Sequence, residues 1–237
     1  MTHRTEVVDR QQWLEARREL LQAEKEHLRR GDELAARRRA LPRVRVDRDY
    51  RFDSADGEVT LPDLFGGRRQ LIVQHFMLGP DAEVGCPFCS FWADGYERMI
   101  AHLEQRDTSF VVVSRAPVEV IERYRERMGW TFRWVSAGRN GFQQDFGVSP
   151  TEEQIASGMM TYNYREVPVR MHDLHGTSVF LRGEDEEEGD VFHTYSTYGR
   201  GLDPMNAAYA YLDLTPLGRR EEGLPFSMAW VKRRDEY

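Results

Sequence analysis

The sequence predicts an α/β fold, a central mixed sheet flanked by helices, and three observations carry that prediction. Two short apolar runs, residues 71–77 and 108–114, are each followed by a segment of helical period. That β-α-β-α order makes consecutive strands parallel neighbours. The second run contains Phe110-Val-Val-Val with no polar interruption, as a strand covered on both faces requires. The only two cysteines, Cys86 and Cys89, fall between the first run and the first of these helices.

Taken in order, residues 9–40 are rich in strong helix formers. Trp13, Leu14, Leu20, Leu21, Leu28, Leu34 and Ala35 recur near a seven-residue interval, with a possible break at Gly31-Asp32. The opposite face is Glu and Arg, which suits a solvated surface, so residues 1–41 read as a helical arm able to pair with a second copy of the chain. Pro42 stops this helix. Tyr50-Arg-Phe-Asp, Asp56-Gly57 and Glu58-Val-Thr-Leu form the pattern of a β-hairpin. Pro62 to Gly67 fits a one-turn helix leading into the strand at 71–77. Residues 91–105 carry Trp92, Tyr96, Met99, Ile100 and Leu103 on one helical stripe. Pro117 opens a helix that Gly129 stops. Residues 131–136 form a weaker strand pattern, and residues 140–146 a short helix.

Residues 147–175 show no clear period beyond one helical turn near 151–156, and read as a long excursion. Residues 177–182 and 190–196 are two strands joined by the acidic loop 183–189, which lacks the spaced oxygens and central Gly of a calcium loop. Asp203 and Pro204 suit the cap and first position of a helix over 203–212. Residues 215–237 form a polar tail with one apolar patch, Phe226, Met228 and Trp230. The expected organisation is therefore an arm (1–41), one α/β domain (42–214) and a tail (215–237).

Composition narrows the partners. Charged residues make up 31% of the 237, and 33 basic against 40 acidic side chains give a net charge of −7, which does not suggest a nucleic-acid partner. The first forty residues are too charged for a signal peptide, and no apolar run approaches the roughly 18 residues of a membrane span. The expectation is a cytoplasmic protein with no membrane partner. In a reducing cytosol a cysteine pair is more often catalytic or metal-binding than a structural staple.

Two intervening residues put both sulfurs on one helical turn. The first stands at the helix start, where unpaired N–H groups and the helix dipole favour thiolate over thiol. Cys86 is the candidate nucleophile, with Pro87 suited to the first helical position. Cys89, among Phe88, Phe91 and Trp92, is the candidate resolving sulfur. Two other readings stand beside the redox one. The pair could be half of a zinc site completed by histidines such as His75, His102 or His193. No second close ligand pair accompanies it, His172 and His175 being the nearest. The pair could also be inert packing. The redox reading calls for no cofactor and no metal, since the dithiol itself carries the electrons.

The order of elements over residues 48–213 resembles the thioredoxin fold, and residues 50–76 resemble the opening of its peroxiredoxin and membrane-tethered branches. Gly85-Cys-Pro-Phe-Cys-Ser-Phe-Trp-Ala-Asp, Ser114-Arg-Ala-Pro, Arg127-Met-Gly-Trp-Thr-Phe, Val191-Phe-His-Thr-Tyr-Ser-Thr-Tyr, Arg200-Gly-Leu-Asp and Met228-Ala-Trp-Val are similar to a bacterial thioredoxin-like family, domain of unknown function family 899. The resemblance implies a thioredoxin-like fold and thiol–disulfide chemistry, with a protein or small-molecule thiol or disulfide as partner. Three departures bear on the chemistry. The dithiol is Cys-Pro-Phe-Cys preceded by Gly85, closer to the Pro-Tyr of glutaredoxins than to Gly-Pro. Thr177 occupies the place of the cis-proline that faces a thioredoxin dithiol. Residues 79–85 lack the Thr of the peroxiredoxin Pro-x-x-x-Thr-x-x-Cys motif, which argues against a peroxidase.

Ser114, Arg115 and Thr177 are expected at the C-terminal ends of parallel strands or in the loop after them, the edge where open α/β sheets hold ligands, with Arg115 raising the thiolate population or holding an anion. His193 is a candidate general base. A non-enzymatic redox-sensing or partner-binding module on the same scaffold is the second functional reading.

Overall fold

The computed structural model describes residues 6–138, 140–184 and 189–237. Residues 185–188 of the expected acidic loop lie outside the described residues. By internal contacts the chain divides into two compact units, residues 1–42 and 43–237.

The first unit is one helix, α1 (Arg10–Arg39), and it runs through Gly31-Asp32 without the expected break. Asp9 caps it: its carboxylate accepts from the Gln12 N–H, and the Gln12 side chain returns to the Asp9 N–H. Three arginines in its last turn face the negative end of the helix dipole. No residue of α1 is buried.

The second unit is built on an eight-stranded sheet in the order β1-β10-β9-β4-β5-β6-β2-β3. Its centre is β4 (Gln70–His75), β5 (Thr108–Ser114) and β6 (Trp134–Ser136), mutually parallel. On one side β9 (Gly176–Arg182) and β10 (Val191–Tyr198) run antiparallel, and β1 (Val44–Arg45) closes that edge. On the other, the hairpin of β2 (Arg51–Ser54) and β3 (Gly57–Thr60) joins β6 through Asp53 and Ser136. A dithiol strand held between a parallel strand and an antiparallel hairpin is the thioredoxin-like arrangement.

All seven residues of β5 are buried, as its unbroken apolar run requires. Alternation then splits the core. Phe110 and Val112 join Phe76, Cys89, Trp92, Tyr124, Trp130 and Trp134 on one face, under α2 (Pro87–Ala93), α3 (Tyr96–Glu104) and α4 (Val118–Met128). Val111 and Val113 join Phe52, Leu71, Val73 and Phe180 on the other, with α5 (Phe142–Asp145) supplying Phe142.

Several elements differ from expectation. The stripe over 91–105 is two helices, because α2 ends at Asp94, whose carboxylate is taken by the Trp130 indole N–H. Residues 147–175 hold α6 (Glu152–Ser157) and a hairpin of β7 (Met159–Tyr162) and β8 (Arg165–Pro168). Its turn residues Asn163 and Tyr164 have φ of 52° and 62°, a conformation that Asn-Gly ordinarily announces. Tyr164 adopts it while its hydroxyl donates to the Ser196 carbonyl at 2.9 Å. The helix expected over 203–212 is a 3₁₀ segment, Gly199–Met205, followed by α7 (Ala207–Leu212), capped by Asn206 rather than Asp203. Asn206 accepts from the Tyr209 N–H.

Candidate active site

The chain leaves β4 through Phe76 and Met77 and returns to place Cys86 as the cap of α2, with Pro87 in its first turn. The Cys86 N–H donates to the Met77 carbonyl at 3.2 Å, and the Met77 N–H donates to Cys89 Sγ at 3.4 Å. One stretch of extended chain thus holds both ends of the motif. Gly85 is obligatory here: a Cβ would lie 2.4 Å from Tyr124 Cε1 and 2.7 Å from Phe76 Cε1. The Ser90 hydroxyl meets the Cys86 carbonyl and the Tyr124 hydroxyl, each at 2.8 Å, tying the first turn of α2 to α4.

The two sulfurs are free thiols in unlike surroundings. The cysteines lie 4.2 Å apart, Cys86 half-buried and Cys89 buried. Cys86 is pulled down to about 7. The Cys89 thiol hydrogen bond is the largest cause, working against burial, with help from the Cys89 and Phe88 N–H groups and the Arg233 charge. Burial pushes Cys89 well above the ordinary thiol range, and sharing a proton with Cys86 pushes it the same way. Near neutral pH the thiolate therefore forms at Cys86 in preference to Cys89, which holds its proton, the asymmetry that thiol–disulfide exchange uses.

The positive charge beside Cys86 comes from the tail. Arg233 Nε and Nη2 donate to the Gly85 carbonyl at 3.0 and 2.7 Å, and Nη1 pairs with Glu236 at 2.9 Å. Arg127 on α4 pairs with Asp235 and Glu236, and Arg234 donates to the Met128 carbonyl. Met228 and Trp230 pack against the core that holds Cys89, and the Trp230 indole donates to Glu221. The apolar patch in residues 215–237 was legible in the sequence. Arg233 was not, because nothing local separates it from the chain's other arginines.

The remaining expected site residues are placed as follows. Arg115 Nε donates to Asp173 Oδ1 at 2.8 Å and Nη2 to the His172 carbonyl, so its guanidinium is committed to the loop before β9. Thr177 is the second residue of β9, which runs antiparallel to β4, and its hydroxyl donates to Gln74 Oε1 at 2.7 Å. Thr177 therefore lies at an antiparallel strand's start rather than at a parallel strand's end. Gln74 lines a cavity of about 10 Å³ with Phe88, Cys89, Trp92, His175 and Leu202. Ser114 accepts from the Trp134 indole.

His75 and His193, considered as zinc ligand or base, are placed by strand alternation. Gln74 faces Cys89, so His75 faces the other side of the sheet, where its ring meets Gln143 and Ser178. His193 is packed there too, against Phe146 and Phe180. Among the described residues no three His, Cys, Asp or Glu side chains gather as a metal-ligand group. Among them also, no helix is long and apolar enough to cross a membrane.

A family model described as bacterial protein of unknown function (DUF899) matches residues 2–237. No curated protein matches the chain. Among solved structures, peroxiredoxin Q of Xanthomonas campestris is similar at 14% identity over 72% of this chain and 92% of its own, with a TM-score of 0.44. The peroxidoxin BcpB of Mycobacterium tuberculosis is similar at 15% identity over 70% and 94%, TM-score 0.43. The mitochondrial 2-Cys peroxiredoxin of Plasmodium falciparum is similar at 11% over 72% and 92%, TM-score 0.41.

Proposed function

We propose, for a chain that belongs throughout its length to the bacterial family of unknown function DUF899, a cytoplasmic thiol–disulfide oxidoreductase activity. The Cys86 thiolate attacks one sulfur of a substrate disulfide, forms a mixed disulfide and expels the first substrate thiolate. Cys89 loses its proton and attacks Cys86 Sγ. The second substrate thiol leaves, and two electrons have passed from the dithiol to the substrate. A dithiol donor resets the pair. The observation that supports this most strongly is the contrast within the pair: a half-buried Cys86 near pKa 7 beside a buried, protonated Cys89. Inert packing would demand neither.

The substrate class is a protein or small-molecule disulfide. Reduction of insulin by the protein with dithiothreitol as donor tests the activity. Cys86→Ser is expected to abolish turnover, and Cys89→Ser to accumulate a mixed disulfide visible by mass spectrometry. Wild-type turnover in both variants would remove the proposal.

The arm supports a second element of the reading. Trp13, Leu20, Leu28 and Leu34 of α1 are each about half exposed or more, and an apolar stripe near a seven-residue interval is what a partner helix buries. α1 is proposed to pair two copies of the chain. Sedimentation of a chain lacking residues 1–42 should then report a monomer where the full chain reports a dimer, whereas equal association would count against the pairing.

A further inference from the structure

Cys89 must lose its proton before it can resolve a mixed disulfide, and burial opposes that loss. Groups that can accept a proton are few around it. Asp173 acts on Cys89 through its charge, but its Oδ1 already accepts from Arg115 and from the Ser149 hydroxyl at 3.1 Å. Tyr96 and Tyr162 also feel the Cys89 charge, and both phenols are held above their ordinary range by burial. The Tyr162 hydroxyl is occupied, donating to the His175 carbonyl at 2.8 Å.

His175 is different. It lines the same small cavity as Cys89, together with Gln74. That cavity, about 10 Å³, is close to the room one water molecule needs, and Gln74, Cys89 and His175 are the polar groups in an otherwise apolar lining. Trp92 holds the ring from one side, with centroids 6.2 Å apart. The Gly199 backbone and the Asp203 carboxylate lie near enough to favour its charged form. A neutral imidazole carries one N–H and one lone-pair nitrogen, so the ring is able to take up a proton.

We propose that His175 is the proton acceptor for Cys89 in the resolving step, an inference that rests on the oxidoreductase reading above. The Cys89 thiol proton passes to the lone-pair nitrogen of the ring, directly or through one water in the cavity. The Cys89 thiolate then forms the S–S bond to Cys86 as the Cys86–substrate S–S bond breaks. The departing substrate thiolate takes a proton back from the imidazolium or from solvent. Burial lowers the His175 pKa from its ordinary value, which favours the neutral ring that can accept a proton. Among the described residues, Asp203 from the 3₁₀ segment, Cys89 from α2 and Tyr162 from β7 are ionisable groups placed against it.

The test uses the reduced full chain and dithiobis(nitrobenzoate), whose chromophoric thiol is released once when Cys86 attacks and again when Cys89 closes the ring. With His175 as base, the second release in the wild type should level off above the titration of His175. Without a base it should climb about tenfold per pH unit toward the Cys89 pKa. In His175→Gln the first release should be unchanged, while the second becomes about a hundredfold slower at pH 7 and loses its plateau. An unchanged first release also reports that the site has folded, and the wild-type profile stands if the variant does not fold. A wild-type second release with no plateau, or a plateau kept in His175→Gln, overturns the assignment. Absence of any second release from the wild type would instead overturn the oxidoreductase reading itself.

Discussion

At the scale of single residues, the site depends on a contrast set by a few atoms. Cys86 is held down first by its bond from Cys89, then by two backbone N–H groups, with Arg233 adding charge from outside. Replacing Arg233 with Met removes that charge and the two bonds to the Gly85 carbonyl. Cys86 should then titrate higher, and its alkylation by iodoacetamide at pH 7 should slow about two- to fivefold, with Arg233→Lys recovering part of the loss. An unchanged pH profile of alkylation would show that the guanidinium contributes nothing to the thiolate. The motif itself, with Cys86 at the cap and Pro87 beside it, was legible because capping depends on chemistry within a few residues. Arg115 illustrates the converse. Its residue type suits a thiolate partner, but the neighbour that claims it is Asp173, 58 residues away.

At the scale of elements, the parallel strands and the helices after them follow directly from period and run length. The hairpin β7–β8 escaped that reading because Asn163-Tyr164 lacks the glycine that marks such turns, and Tyr164 takes its conformation together with a contact on β10. The tail escaped it for a related reason. Its helical turns are short, and Trp230 is fixed by meeting Phe91 edge-on at 5.5 Å and donating to Glu221. Trp230→Ala should destabilise the second unit by about 2–3 kcal/mol, less than a fully buried Trp because the ring is partly exposed. Urea unfolding followed by circular dichroism measures this, and a loss below about 0.5 kcal/mol would mean that the tail does not stabilise the body.

At the scale of the whole molecule, the sheet divides the interior into a face that carries the dithiol and a face that carries His75. Burial lowers His75 to about 4, against about 6.5 in an unfolded chain. Between these values the unfolded state binds the extra proton, so stability is intact above pH 6.5 and falls as pH drops toward 4. The full loss from this one group is on the order of 3 kcal/mol. Unfolding midpoints in urea at pH 7 and pH 4.5 should therefore separate clearly for the wild type and draw together for His75→Gln. Equal separation in both would assign the acid sensitivity elsewhere. The pairing of His75 with Gln143 and Ser178, 68 and 103 residues away, could not be read from sequence, although its position one residue after Gln74 already placed it on the opposite face.

By itself the amino-acid sequence determined the α/β class, the buried run of β5, the dithiol at a helix start and the likeness that carried a thioredoxin-like fold. These depend on periodicity and on contacts within one or two turns, which are written locally. Only the tertiary structure decided that Arg233, 148 residues beyond Gly85 in sequence, sits at the motif's carbonyl and that His175 shares a cavity with Cys89. Such meetings are settled by how the core packs as a whole, through many weak contacts none of which leaves a mark in the neighbouring sequence.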